Sequence, residues 1–66
     1  MKREWLIAYR KAKGLSQHEV ADALGVGQTA YANYESGIRK PKPKIAKMIA
    51  KIFGFDWTKF YDEKES

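Results

Sequence analysis

Four glycines set the frame of this chain. Gly14, Gly25, Gly37 and Gly54 each follow a stretch in which apolar residues recur at helical spacing. A glycine just past the last periodic residue is a common helix stop, because it enters the left-handed region with no Cβ clash. The pattern predicts helices over about 2–13, 16–24, 28–36 and 43–53. A fifth, short helix is expected from Asp56, a good N-cap, to about Tyr61. No stretch alternates with period two, so no strand is expected. The reading is an all-α, compact five-helix domain over 1–61, with a polar tail over 62–66.

Each expected helix carries its own apolar side. Trp5, Leu6 and Tyr9 mark the first, and Val20, Ala21 and Leu24 the second. Ile45, Ile49, Ile52 and Phe53 mark the fourth, with Lys44, Lys47 and Lys51 along another side. Pro43 suits the first turn of that helix. Phe55, Trp57 and Phe60 can cover the end of the core. The clearest start signal is Ser16-Gln17-His18-Glu19, a capping box in which hydroxyl and carboxylate serve each other's backbone amides. Only Val26-Gly27 separates Gly25 from Gln28, so the second and third helices meet in a tight turn with one apolar plug.

With 66 residues there is room for one domain and a modest core. Cysteine is absent and histidine occurs once, as His18. Disulfides, thiolate metal sites and multi-histidine metal sites are thereby excluded. No Cys–His pair, paired carboxylates in an apolar setting or phosphate-cradling glycine loop is visible, so no enzyme and no cofactor are expected. No apolar stretch approaches a membrane span, and the N-terminus lacks the apolar run of a signal peptide. A cytoplasmic protein is expected. The net charge of +5 favours polyanionic partners through counterion release, although a merely solvated basic surface has the same sum.

The third helix is chemically divided. At about 100° per residue, Gln28, Ala32, Ser36, Thr29 and Asn33 fall within about 140° of one another. Ala30, Tyr31 and Tyr34 lie opposite. The first face is polar, uncharged and short-chained, whereas solvated faces are usually rich in lysine and glutamate. Amides can pair with adenine edges, and threonine can bond a base or touch a thymine methyl. A solvated face that happens to lack charges looks the same in isolation. The tight turn before it and the basic stretch Arg39-Lys40-Pro41-Lys42 after it count against that alternative.

Taken together, Leu15 to Tyr31 resembles the helix-turn-helix of the lambdoid phage repressor and Cro family, which includes regulators of the xenobiotic-response-element type. The stretch Tyr34-Glu35-Ser36-Gly37-Ile38-Arg39-Lys40-Pro41 resembles that family's helix-end motif, and Phe53-Gly54-Phe55-Asp56-Trp57 its last-helix signature. The likeness runs from about Leu6 to Phe60. It implies a sequence-specific transcriptional regulator of double-stranded DNA, of repressor type, with the third helix in the major groove. By the same resemblance Gln28, Thr29, Ala32 and Asn33 read bases. Ser16, Gln17, Ser36, Arg39 and Lys40 contact the DNA backbone, with Gln17 also bracing Gln28. Arg10 and Glu35 form a structural ion pair.

The chain departs from some relatives in having Thr29, Ser36 and, at the start of the fourth helix, Lys42. The operator is therefore not transferable. A homodimer, weak or DNA-assisted, is expected through Trp57, Phe60 and Tyr61. Two rivals share the pattern: an antitoxin of the same fold that binds a toxin and its own operator, and a non-specific RNA or single-strand binder using charge and tyrosines.

Overall fold

The computed structural model describes residues 2–62. The expected tail over 62–66 lies, apart from Asp62, outside the described residues. Four α-helices follow in order: α1 (Glu4–Ala12), α2 (Gln17–Leu24), α3 (Gln28–Ser36) and α4 (Pro43–Phe53). A single 3-10 turn, Trp57–Phe60, completes the sequence of elements. The described residues contain no strand.

Local chemistry explains most of the boundaries. The Ser16 hydroxyl accepts the Glu19 amide at 3.1 Å, and the Glu19 carboxylate accepts the Ser16 amide at 2.8 Å. That box opens α2 and holds the exposed Glu19 carboxyl below its ordinary range, chiefly through the Ser16 amide. Gly25 closes α2 at φ 73°, a conformation costly for a residue with a Cβ. Its neighbour Val26 is half-buried against the core and plugs the turn. Proline opens α4, where the N-cap Lys42 makes no side-chain cap bond.

The fifth helix is a correction to the sequence reading, because Trp57–Phe60 is a 3-10 turn and not an α-helix. Asp56 accepts the amide of Thr58, only two residues on, at 3.0 Å. The Tyr61 amide then bonds the Thr58 carbonyl at 2.8 Å, three residues back. Three residues per turn put Trp57 and Phe60 on one side. That geometry carries Phe60 into full burial and leaves Trp57 packed at the core's edge. The start of α1 is also later than the periodicity predicts. Arg3 is drawn to α3, its amide donating to the Glu35 carbonyl at 2.7 Å, and helical geometry begins at Glu4.

The core joins all the elements: Leu6 from α1, Val20, Ala21 and Leu24 from α2, Tyr31 from α3, Ala46, Ile49 and Phe53 from α4, and Phe60. Ala46 is fully buried, so α4 approaches its neighbours closely. An aromatic layer closes one end. Trp5 meets Phe55 edge-on at 5.1 Å and Phe60 at 5.2 Å, and Tyr9 lies 5.0 Å from Phe55. Such pairs contribute about 0.5–1.5 kcal/mol beyond area burial, a useful supplement where the core is small. Together these contacts fix α3 on top of α2 with one face outward. No helix among the described residues is long and apolar enough to cross a membrane.

Candidate nucleic-acid interface

The outward face of α3 is its uncharged one. Gln28 and Thr29 are exposed, while Ala32, Asn33 and Ser36 are half-buried. Beneath them Tyr31 is fully buried and Glu35 only 2% exposed. Tyr34 is half-buried at the side, meeting Tyr31 edge-on at 6.3 Å. Among the described residues the side chains of Gln28, Thr29 and Asn33 form no hydrogen bonds. Their amides and hydroxyl are open to an incoming ligand. The Ser36 hydroxyl donates back to the Asn33 carbonyl at 3.2 Å and keeps its lone pairs available.

A charged network holds this helix from below. Arg10 Nε donates to Glu35 Oε2 at 2.6 Å and its Nη2 to Oε1 at 3.3 Å. The remaining Arg10 Nη1 donates to the Leu15 carbonyl at 2.9 Å, securing the α1–α2 loop. Gln17 Nε2 donates to Glu35 Oε1 at 3.1 Å. Burial pushes the Glu35 carboxyl up, but the hydrogen bonds from Arg10 and Gln17 outweigh it, with a smaller part from the nearby Tyr31 hydroxyl, and hold the group below its ordinary range. The same contact with Glu35 raises the Arg10 guanidinium further. Burial, then Glu35, drives the Tyr31 hydroxyl well above its ordinary value. That hydroxyl closes no well-formed hydrogen bond and stays neutral.

The basic flank lies at the other end of α3. Arg39 and Lys40 are exposed, and the Arg39 amide donates to the Asn33 carbonyl at 3.2 Å. The Lys40 ammonium lies 6.0 Å from the Tyr61 ring, and the Tyr61 hydroxyl donates to the Pro41 carbonyl at 2.5 Å. At the start of α2 the Ser16 amide is already taken by Glu19. The first-turn amides of Gln17 and His18 have no helical acceptor ahead of them, as at any helix start, and such amides suit an anion. A cleft of about 260 Å³ runs between α1 and α3, lined by Lys2, Lys11, Gln17, Ser36 and the Arg10–Glu35 pair.

The structure thus gathers Gln28, Thr29, Ala32, Asn33, Ser36 and Gln17 on one side, with Arg39 and Lys40 at its edge. Two placements differ from the sequence reading. The Gln17 side chain is bonded to Glu35, so it is not bracing Gln28. Phe60 is fully buried and has no surface to offer a second copy; only Trp57, half-buried, and Tyr61, 38% exposed, remain of the expected seam. Sequence reasoning also missed Arg3. Its side chain bonds the carbonyls of Tyr34 and Arg39 and lies over the Phe60 ring. Flanked by Lys2 and Glu4, it reads as one more surface charge, and no local pattern marks it otherwise.

Comparison with known proteins bears on this geometry. A family profile described as helix-turn-helix matches residues 6–60. The uncharacterized HTH-type transcriptional regulator YqaF of Bacillus subtilis is 43% identical over 63 residues, covering 96% of this chain and 83% of that protein. The cryptic phage CTXphi transcriptional repressor RstR of Vibrio cholerae is 33% identical over 57 residues, covering 86% of this chain and 51% of the repressor. The HTH-type transcriptional regulator AnsR of Bacillus subtilis is 40% identical over 53 residues, covering 80% of this chain and 46% of AnsR. This chain therefore spans most of the first relative but about half of the other two. No solved structure matches it significantly.

Proposed function

The chain belongs to the helix-turn-helix family of DNA-binding transcriptional regulators, and we propose that it is a sequence-specific repressor of phage or mobile-element type that reads the major groove with α3. The observation that carries this reading is the division of α3. Its amide- and hydroxyl-bearing flank is open while Tyr31 and Glu35 are buried beneath. Gln28, Thr29 and Asn33 present donors and acceptors to base edges, and Ala32 between them lets the helix sit deep. The α2 N-terminus, Gln17, Ser36, Arg39 and Lys40 hold the phosphates on either side and set the register without reading sequence. The likeness to the phage repressor RstR supports the repressor type.

One copy covers a half-site. Two copies related by a two-fold axis place their reading helices about 34 Å apart, on successive major grooves. Trp57 and Tyr61 are aromatic groups available for that contact, at the same end as the Lys40 loop, where Ile38 is also exposed. On this reading the protein acts in the cytoplasm, on the nucleoid.

Selection of bound sites from random duplexes tests the proposal. Enrichment of a defined motif, with two-fold symmetry and half-sites about one helical turn apart, is the expected result. Failure to enrich any duplex at moderate salt, or equal binding to single-stranded RNA, sinks it.

A further inference from the structure

We propose that Arg3 is a positioning residue for DNA binding, which fixes the backbone of the loop that carries Arg39 and Lys40. The proposal rests on the reading of those two side chains as phosphate contacts.

The last four carbonyls of a helix have no intrahelical partner. In α3 these are the carbonyls of Asn33 to Ser36, and the last turn contains no basic residue of its own. Partners come from elsewhere. The Arg39 amide takes the Asn33 carbonyl at 3.2 Å. The Arg3 guanidinium takes the Tyr34 carbonyl, and the Arg3 amide takes that of Glu35 at 2.7 Å. Arg3 thus places a cation at the negative end of the α3 dipole, where it is most favourable.

The same Nη1 also donates to the Arg39 carbonyl at 2.9 Å. Both backbone groups of Arg39 are thereby tied to the end of α3, the amide to Asn33 and the carbonyl through Arg3. The guanidinium lies 5.5 Å from the centre of the Phe60 ring and the residue is 4% exposed. It is held by the core and is not available as a phosphate contact itself. Its effect on DNA has to pass through the loop. Arg39 and Lys40 are exposed beyond it, so their reach toward a phosphate depends on where that backbone is held.

Arg3→Met keeps the apolar stem and removes every side-chain donor. Three measurements separate the possibilities. Thermal melting establishes which variants are folded. Nitrogen-15 relaxation of residues 38–40, without DNA, reports loop order. Affinity for the best selected duplex and for an unrelated one is measured against salt, in the parent and in an Arg39→Ala/Lys40→Ala background. The expected result for Arg3→Met is added motion at 38–40 with residues 28–33 unchanged. Binding weakens roughly tenfold on both duplexes, the scale of one charge-assisted hydrogen bond, and the salt slope flattens. In the double-alanine background the Arg3→Met loss disappears.

Unchanged relaxation at 38–40, or an equal loss in the double-alanine background, overturns the proposal. If Arg3→Met does not fold, Arg3→Lys is read in its place. It retains the charge at the helix end but lacks the planar fork, and its smaller loss should also vanish in the double-alanine background; persistence there overturns the proposal. A parent protein that binds no duplex defeats the functional reading, and the relaxation measurement then decides the role of Arg3 alone.

Discussion

Gln17 and Glu35 are joined by a hydrogen bond of 3.1 Å, linking the first turn of α2 to the buried side of α3. Arg10 binds the same carboxylate from α1. Three helices therefore converge on one carboxylate directly beneath the reading face. That carboxylate is the shared acceptor through which α1 and α2 hold α3.

Glu35→Ala should strand the Arg10 guanidinium, whose side chain is 13% exposed. Removing one partner of a buried pair costs about 3–5 kcal/mol. That is a large part of what a domain of this size commands, at roughly 0.05–0.15 kcal/mol per residue. Asp22→Ala removes an exposed carboxylate that lies 3.8 Å from His18 and should be nearly neutral. Urea denaturation of both variants checks the contrast, and equal midpoints would remove the network from the account.

Acid should act through the same group. The Glu35 carboxyl is held below its ordinary value of 4.5 when folded. Its contribution to stability is therefore fully present above that value and is lost as pH falls through the folded pKa. Thermal melting between neutral pH and pH ~3 should show a steeper acid decline for the parent than for Glu35→Gln. Parallel curves would mean that other carboxylates govern acid unfolding.

Gln28→Ala and Lys40→Ala should fail in different ways. The first should cost about 1–3 kcal/mol on the selected site and relax preference at one base pair. The second should weaken all duplexes alike and reduce the salt slope by about 0.9. Identical behaviour of the two on every sequence would contradict their assigned roles.

The glycines on either side of Val26 should respond oppositely. Gly25 sits at φ 73° with open space around a Cβ, so Gly25→Ala should destabilise by about 1 kcal/mol through backbone strain alone. Gly27 caps α3 at φ −71° and also has open space. Gly27→Ser adds a capping hydroxyl and restricts the unfolded chain, and should stabilise by about 0.5–1 kcal/mol. Melting temperatures of the two variants decide the matter.

The local signals were the legible ones. Ser16 and Glu19 carry their pairing in their spacing, and Gly25, Gly37 and Gly54 end their helices because each left-handed cap is a one-residue decision. The periodicity of α3 separates its two faces without reference to the rest of the chain. What spacing does not carry is long-range partnership. Arg3 reaches residues 31 and 36 positions away, and no pattern around it reports that. The pairing of Arg10 with Glu35 is suggested only by family resemblance, and the capture of Gln17 by Glu35 depends on how α2 docks. The Trp57–Phe60 segment lay at the margin. A four-residue element can close as α or 3-10 at little difference in energy, and the spacing of Asp56, Trp57 and Phe60 does not separate the two.

The open flank of α3 shares none of its side-chain hydrogen bonds with the scaffold, at Gln28, Thr29 or Asn33. On the proposed reading, folding and target choice are thus drawn from separate sets of residues. A lineage could drift from one operator to another by changing those positions while Arg10, Glu35 and the aromatic layer continue to fold the chain. For the engineer the same separation makes these three sites the natural ones to randomise, since a library built there should yield folded members of differing preference.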